Sequence, residues 1–408
     1  MISFICTKLN KMKSFRFYIV TPWIYAIGTC SEQINIANRI ASSKNKQLIV
    51  IKLFIFKKFL KYHVCNNDLF DSVEYGKKSI NKKILKFIFT ILINFEFFFI
   101  RLYVLINDKT FKKVLPEYIR FPQIGIKDIV YNNKNLFKKN FDNIKSYPPH
   151  SLIKIDNNKL EKKFKKKFGS LQKKIVCIHV RDSNYRSDPN KRNLRNSSID
   201  TYIPAIKYLI KKNYLVVRLG DNNKKKINFT HPDFIDLDNN LNDIYLIYNC
   251  SFYIGTSSGP LDTSFMFQKP TLLTNAYSIH LGYPRNFMDR VIYKKAILNG
   301  KKISLFEHLN LPFQFHDYLK NYNNLNFIEN SPDEILEATK EFVFNFENNN
   351  FKKSEKQKKF NEMLLNKMKE YFHDNSPENS FRHHYLAINF IRWVKTQQGS
   401  VCNFFLDH

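Results

Sequence analysis

From about residue 174 the chain alternates short apolar runs with amphipathic ones: KKIVCIHV, SSIDTYIPAIKYLIKK, YLVVRLG, FIDL, NDIYLIYNC, SFYIG and PTLLTN. Apolar runs of strand length, rich in β-branched residues and separated by stretches of helical period, predict parallel strands joined by crossover helices. The fold class expected is therefore α/β, built on a doubly wound sheet. Ligands of such sheets gather beyond the carboxyl ends of the strands. The residues at those ends carry the functional reading.

At 408 residues the chain has room for two domains. Residues 1–56 contain FRFYIV, a loop with Gly28, SEQINIANRIA and QLIVIKLFIF, which predict a strand, a helix capped by Ser31 and a second strand. A long helix is expected over 82–106. Its part FIFTILINFEFFFIRLYVLI approaches a membrane span in apolarity, but Asn94, Glu96 and Arg101 interrupt it, so a buried helix is expected. SYPPH and KLEKKFKKKFGSLQKK mark a change of composition that reads as an interdomain connection. After 330 the pattern turns helical, with PDEILEATKEFVFNF, a lysine-rich helix at 352–373 and AINFIRWVK, and no further strand is expected. The expected division is an N-terminal domain over 1–150, a basic linker over 151–173, a C-terminal domain over 174–330 and a helical segment over 331–408.

The formal charge of +31 points to nucleic acid, an anionic membrane or an anionic substrate. Part of it is compositional. The chain has 53 Lys but only 13 Arg, and 47 Asn but only 10 Gly, the bias that A/T-rich codons produce. Against that drift, arginine and glycine are the informative residues. Arg181, Arg186, Arg192, Arg195 and Arg218 cluster in one stretch, and Gly220, Gly255 and Gly259 punctuate it or the next. The six cysteines are widely spaced with no CxxC pair, which predicts a reduced, cytoplasmic setting and no zinc site. The basic N-terminus lacks a clean apolar run and cleavage site, and no signal peptide is read there.

The first strand of the alternating region ends in IHVRD, placing His179, Arg181 and Asp182 at the mouth of the sheet. A guanidinium offers a rigid fork of donors that fits phosphate oxygens, so Arg181 is a candidate phosphate ligand; pairing with Asp182 for structure alone is the other reading. The next strand delivers Arg218, Gly220 and Asp221. An arginine following three apolar strand residues requires a partner or a ligand. FIDL supplies Asp236, as a ribose or base contact or as a structural carboxylate. SFYIGTSSGP then runs a strand into Thr256, Ser257, Ser258 and Gly259 ahead of a helical stretch. Small residues, hydroxyls and a helix amino terminus together make a phosphate cradle.

Its spacing is neither that of a P-loop nor of a dinucleotide fingerprint. No GxSxG, HExxH or SxxK pattern supplies a hydrolase nucleophile or zinc base. Asp236 and Asp238, flanking Leu237, are the one short pair of acids in a loop setting, so a metal-free mechanism is expected.

The motifs IHVRDSNYR, NLRNSS, YLVVRLGD, NCSFYIGTSSGP and QKPTLLTN resemble a bacterial glycosyltransferase family found among surface-polysaccharide genes, whose hallmark runs HVRD, RN, Y, RLG or RMG, then GTSSG. The similarity covers about 175–295. That family looks distantly like fucosyltransferases of the GT-B architecture, in which two Rossmann-like domains face each other across a cleft. The resemblance implies an acceptor-binding N-terminal and a donor-binding C-terminal domain, a nucleotide-diphosphate sugar as donor, and a glycan or lipid-linked acceptor. It implies no metal cofactor and makes Arg181 the diphosphate contact. Arg218 and Thr256 to Gly259 would share the leaving charge, with His179, Gly220 and Asp236 beside the donor. Asp182 is the candidate base, with Glu32 a weaker one. The family pattern favours a tyrosine after the strand aspartate, where this chain has Leu237.

The lysines of 159–174 and 352–372 are expected to face an anionic membrane at the inner face of the cytoplasmic membrane. A basic nucleic-acid-binding protein and a pseudo-enzyme that binds a nucleotide sugar without transfer are the alternatives. The aromatics follow core strands and helices, which disfavours specific nucleic-acid binding.

Overall fold

The computed structural model describes residues 17–22, 26–43, 45–52, 65–71, 73–75, 80–106, 153–155, 157–168, 172–184, 194–220, 224–238, 243–279, 284–311, 324–373 and 399–407. They belong to two compact units, one drawn from the described residues up to Glu161 and one from those after it.

In the first unit, β1 (Phe17–Val20) and β2 (Gln47–Val50) pair in parallel and are joined by α1 (Ile27–Ser43). This is the expected strand–helix–strand unit, with one correction: α1 begins at Ile27, and Ser31, fully buried, lies inside the helix. A short helix α2 (Asp68–Asp71) precedes β3 (Val73–Tyr75), which pairs antiparallel with β4 (Ile153–Ile155). The long helix α3 (Ile80–Ile106) covers the expected span. It is not wholly buried. Phe89 and Ile93 pack with Ile49 and Ile51, while Phe87, Ile91 and Phe95 on the other side are exposed.

Part of the stretch expected as a basic linker lies among the described residues and forms regular elements. It contains β4 and α4 (Asn157–Phe168), whose Leu160 and Phe164 are buried among its many lysines.

The second unit is built on a seven-stranded sheet, in which each strand is parallel to its neighbours. Its strands are β5 (Ile175–His179), β6 (Leu215–Arg218), β7 (Phe234–Asp236), β8 (Phe252–Gly255), β9 (Thr271–Ala276), β10 (Arg290–Tyr293) and β14 (Ser400–Val401), in the order β14-β10-β9-β8-β5-β6-β7. β6, β8, β9 and β10 are buried at every residue, as runs sandwiched between layers must be. The crossovers are a 3₁₀ turn (Ile199–Tyr202) with α5 (Ile203–Lys211), then α6 (Asp243–Asn249) and α7 (Gly259–Met266).

After β10 the chain makes a small antiparallel sheet from β11 (Lys295–Leu298), β12 (Lys301–Lys302) and β13 (Leu325–Ile328), with α8 (Leu305–Asn310) between the last two. Helices α9 (Pro332–Glu347) and α10 (Glu355–His373) follow. α9 packs on α5 and sends Phe342 and Phe346 against Phe252 of β8. The C-terminal part is not purely helical: Ser400 and Val401 extend the sheet as β14 at its β10 edge. The expected helix AINFIRWVK lies outside the described residues.

Candidate functional site

The strand order reverses between β5 and β8. From β5 the chain works outward to β6 and β7, then returns to pair β8 on the other side of β5 before continuing to β9 and β10. Loops leaving two such strands diverge, and a crevice opens at their carboxyl ends. The loop after β5 carries Arg181 and Asp182. The loop after β8 is Thr256-Ser257-Ser258-Gly259.

Register and sterics bring these loops close. His179 stands opposite Gly255, and a Cβ on Gly255 would lie 2.2 Å from the His179 carbonyl oxygen, so only glycine permits this approach. Thr256 N–H donates to His179 O at 3.1 Å, and Arg181 N–H donates to Thr256 Oγ1 at 3.0 Å. Ser258 Oγ and His179 Nδ1 are 2.9 Å apart. Ser258 is the N-cap residue of α7, yet its hydroxyl makes no capping bond with its own helix. Pro260 removes one further donor from that first turn. The partial positive charge at the amino end of α7 therefore has no side-chain acceptor from its own cap.

Arg181 is buried to 9% exposure; its Nε donates to Asn196 Oδ1 at 3.2 Å, and its carbonyl accepts from Ser197 N–H. The Asn196 carbonyl in turn accepts from Lys294 Nζ at 2.7 Å. Lys294 is 5% exposed just beyond β10, where burial lowers its pKa against the opposing pull of Glu329.

The second cluster surrounds Arg218, which is 1% exposed. Its Nη1 reaches Asp236 Oδ2 at 3.3 Å and its Nη2 donates to Lys225 O at 2.8 Å, while Nε is buried without a hydrogen-bond partner. Lys224 Nζ is 2.8 Å from the other oxygen of Asp236. One carboxylate thus faces two cations. Asp182 accepts from Asn184 N–H through Oδ1 at 3.0 Å and from Lys225 N–H through Oδ2 at 2.6 Å. It ties the Arg181 loop to the Lys225 loop. Gly220, at φ +133°, turns the chain after β6.

Burial, followed by the charges of Arg218, Lys224 and Arg181, drives the pKa of His179 down to about 3. Its imidazole is neutral at any working pH, and the three cations that hold it so form a positive pole at the mouth of the sheet.

Of the residues singled out in the sequence, His179, Arg181, Thr256 and Ser258 meet at the strand reversal, with Ser257 and Gly259 completing their loop. Asp182, Arg218 and Asp236 form the adjoining ion cluster. Arg195 is half-buried, and its charge and that of Arg181 oppose the burial that raises the Tyr277 pKa. Arg186, Arg192 and Asp221 lie outside the described residues. Glu32 belongs to α1 of the first unit. Among the described residues no group of three or more His, Cys, Asp or Glu is placed to hold a metal ion.

The sequence reading assigned no role to Asn196, Lys224, Lys225 or Lys294. Asn196 stands in the RN motif and had a signal; the lysines, three among 53, had none.

No protein-family model matches the chain, and no curated protein does. Solved structures do. The chain is similar to E. coli ADP-heptose LPS heptosyltransferase II at 11% identity, over 82% of this chain and 100% of that one, with a TM-score of 0.44. It is also similar to the dodecameric iron-containing heptosyltransferase TibC in complex with ADP-D-beta-D-heptose, at 12% identity over 43% of this chain and 47% of that one, TM-score 0.26. The TibC structure from enterotoxigenic E. coli H10407 matches at 12% identity over 44% and 46% of the two chains, TM-score 0.28. The chain spans about half the length of the TibC structures it matches.

Proposed function

We propose that this chain is a glycosyltransferase that moves a sugar from a nucleotide-diphosphate donor to a surface-polysaccharide or lipid-linked glycan acceptor. The observation that carries this reading is the meeting of Arg181 with the Thr256–Gly259 loop, through the bond from Arg181 N–H to Thr256 Oγ1, at the point where the strand order reverses. The site combines a buried guanidinium, the amino end of α7 and the nearby charges of Arg218 and Lys224. That combination suits a diphosphate.

In the proposed reaction the acceptor oxygen bonds to the anomeric carbon and its proton passes to water, while the bond from that carbon to the β-phosphate oxygen breaks and negative charge grows on the leaving diphosphate. Donors already in place where that charge appears lower the barrier, by about 3 kcal/mol for a strong contact. Arg181 is assigned this contact, held in direction by Asn196. Ser257 and the main chain of Gly259 are assigned to the phosphate oxygens. His179, neutral, orients the Ser258 hydroxyl. Arg218 adds to the positive field, with Asp236 fixing it and Lys224. Asp182 is assigned a positioning part, because both its oxygens accept main-chain N–H groups.

That engagement of Asp182 favours one second reading, a nucleotide-sugar binder without transfer. Release of nucleoside diphosphate from the donor on addition of acceptor separates the two.

The first test is a thermal-shift screen of the full chain against nucleoside diphosphates and nucleotide sugars. A ligand at a hundred times its Kd stabilises by about 2.7 kcal/mol, which is easily read. Arg181→Ala is expected to abolish that shift and to lower turnover about a hundredfold, with an unchanged circular dichroism spectrum. Donor binding near the wild-type level in Arg181→Ala would refute the assignment.

A further inference from the structure

The peptide between Asn196 and Ser197 is bonded at both ends. Its N–H donates to Arg181 O at 2.8 Å, and its carbonyl accepts from Lys294 Nζ at 2.7 Å. A trans peptide points these two groups in opposite directions, so the plane is stretched between the Arg181 main chain on one side and an ammonium on the other. The charge polarises the carbonyl and strengthens the N–H bond beyond it. The Asn196 side chain meanwhile accepts from Arg181 Nε at 3.2 Å. Main chain and guanidinium of Arg181 are thus both tied to this short segment.

The next N–H meets an anion. Ser198 N–H donates to Glu329 Oε2 at 3.0 Å, and the other oxygen of Glu329 lies 3.9 Å from Lys294 Nζ. At that separation the two side chains attract as charges rather than through a hydrogen bond. The segment 196–198 therefore presents an acceptor to a cation and a donor to an anion. Both ions stand at the ends of strands. Lys294 follows β10, and its N–H donates to Ala276 O of β9 at 2.7 Å, while Glu329 follows β13. Asn330 joins the two sites by donating from Nδ2 to Tyr293 O at 2.8 Å.

Burial makes an ammonium costly here. Lys294 is 5% exposed, and among the described residues it makes one side-chain hydrogen bond, the one to Asn196, although an ammonium has three N–H groups to donate. An apolar side chain of similar length would fill the same space with no charge to desolvate. It would leave the Asn196 carbonyl unheld. A guanidinium that is already aimed loses little freedom when an anion arrives, so holding that segment still has a direct use at an anion site.

We propose that Lys294 and Glu329 are positioning residues, which fix the Asn196–Ser198 segment and through it the direction of the Arg181 guanidinium. The consequence for a bound diphosphate rests on the donor-site reading above; the direction of Arg181 does not.

The test uses the full chain and two readouts. The first needs no ligand: exchange with solvent of the Arg181 Nε–H proton, followed by NMR on protein isotope-labelled in arginine, the signal being the one lost in Arg181→Lys. Lys294→Met keeps the bulk and removes the charge; it is expected to speed that exchange about tenfold, and Lys294→Arg to bring it back to within about threefold of wild type. Glu329→Ala removes the tie to Ser198 at a side chain that is 39% exposed, and is expected to speed the exchange as well. The second readout is affinity for ADP, GDP, CDP and UDP by calorimetry. Lys294→Met should weaken whichever of them wild type binds by about tenfold or more, with Lys294→Arg within about threefold of wild type. A role in stability alone would lower the unfolding midpoint and leave both readouts where they are. Unchanged Arg181 exchange in Lys294→Met and Glu329→Ala overturns the proposal, and so does wild-type affinity in Lys294→Met for a diphosphate that wild type binds. Should Lys294→Met not fold, Glu329→Ala decides on the exchange readout. Binding of none of the four nucleotides by wild type fails the donor-site reading instead, and the exchange readout still decides what positions Arg181.

Discussion

His179 sits where burial and the charges of Arg218, Lys224 and Arg181 all oppose protonation, which takes its pKa to about 3. In the unfolded chain it returns to about 6.5. Between those values the unfolded state binds more protons, so stability rises with pH across the window and is lost as pH falls through it. The slope from this one group is at most about 1.4 kcal/mol per pH unit. Unfolding midpoints should fall between pH 6.5 and 5, above the range where most carboxylates titrate, and His179→Gln should flatten that decline; equal slopes in the two proteins would remove His179 from the account. Other residues were legible to different degrees. The HVRD and GTSSG residues stood out because arginine and glycine are scarce in this composition. Arg218 was half legible, since three apolar residues before it demanded a partner, and Asp236 is that partner. Lys294 was not legible, because only its burial separates it from the other lysines.

Helices α8 and α9 start where local chemistry says they should, each behind a serine cap. Ser331 Oγ accepts from Glu334 N–H, and the Glu334 carboxylate accepts from Ser331 N–H at 2.8 Å, a reciprocal cap with Pro332 in the first turn. Ser331→Ala should cost about 1 kcal/mol, read as a fall of about 2–4 °C in the midpoint, and no measurable change would show that the cap is dispensable to α9. In the first unit local chemistry misleads. Ser31 reads as a cap, yet α1 starts four residues earlier, because burial of Cys30 and Ser31 outweighs the weak helix preference of Gly28 and Thr29. The helical span of α3 was plain, but so apolar a helix reads as buried. Which of its apolar residues pack, Phe89 and Ile93 on Ile49 and Ile51, depends on elements remote in sequence. β14 is two residues long, below the length at which any strand pattern is visible.

The last described residues close the second unit over a long sequence interval. Gln357 Nε2 donates to Val401 O at 2.6 Å and Asn361 Nδ2 to Gly399 O at 3.0 Å, while Ser400, Val401 and Cys402 are fully buried. A stop codon at 399 removes Val401, Cys402 and Phe405 from the core. At typical values for burying such side chains the loss is about 5 kcal/mol, so the truncated chain should melt at least about 10 °C lower, and a midpoint within about 3 °C of wild type would contradict this packing. Across the whole chain, hydrophobic period and turn residues are local properties. They determined the parallel α/β class, the positions of β1, β2 and β5 to β9, and which loops leave the carboxyl ends of β5, β6 and β8. Strand order is not local. Only the tertiary structure decided that the Arg181 loop meets the Thr256 loop 75 residues away, that Asp236 answers both Arg218 and Lys224, and that Phe87 and Ile91 of α3 stay exposed while Phe89 and Ile93 are buried. The reason is physical: pairing, neutralisation and burial depend on which distant surfaces come together, and no short stretch of sequence contains both partners.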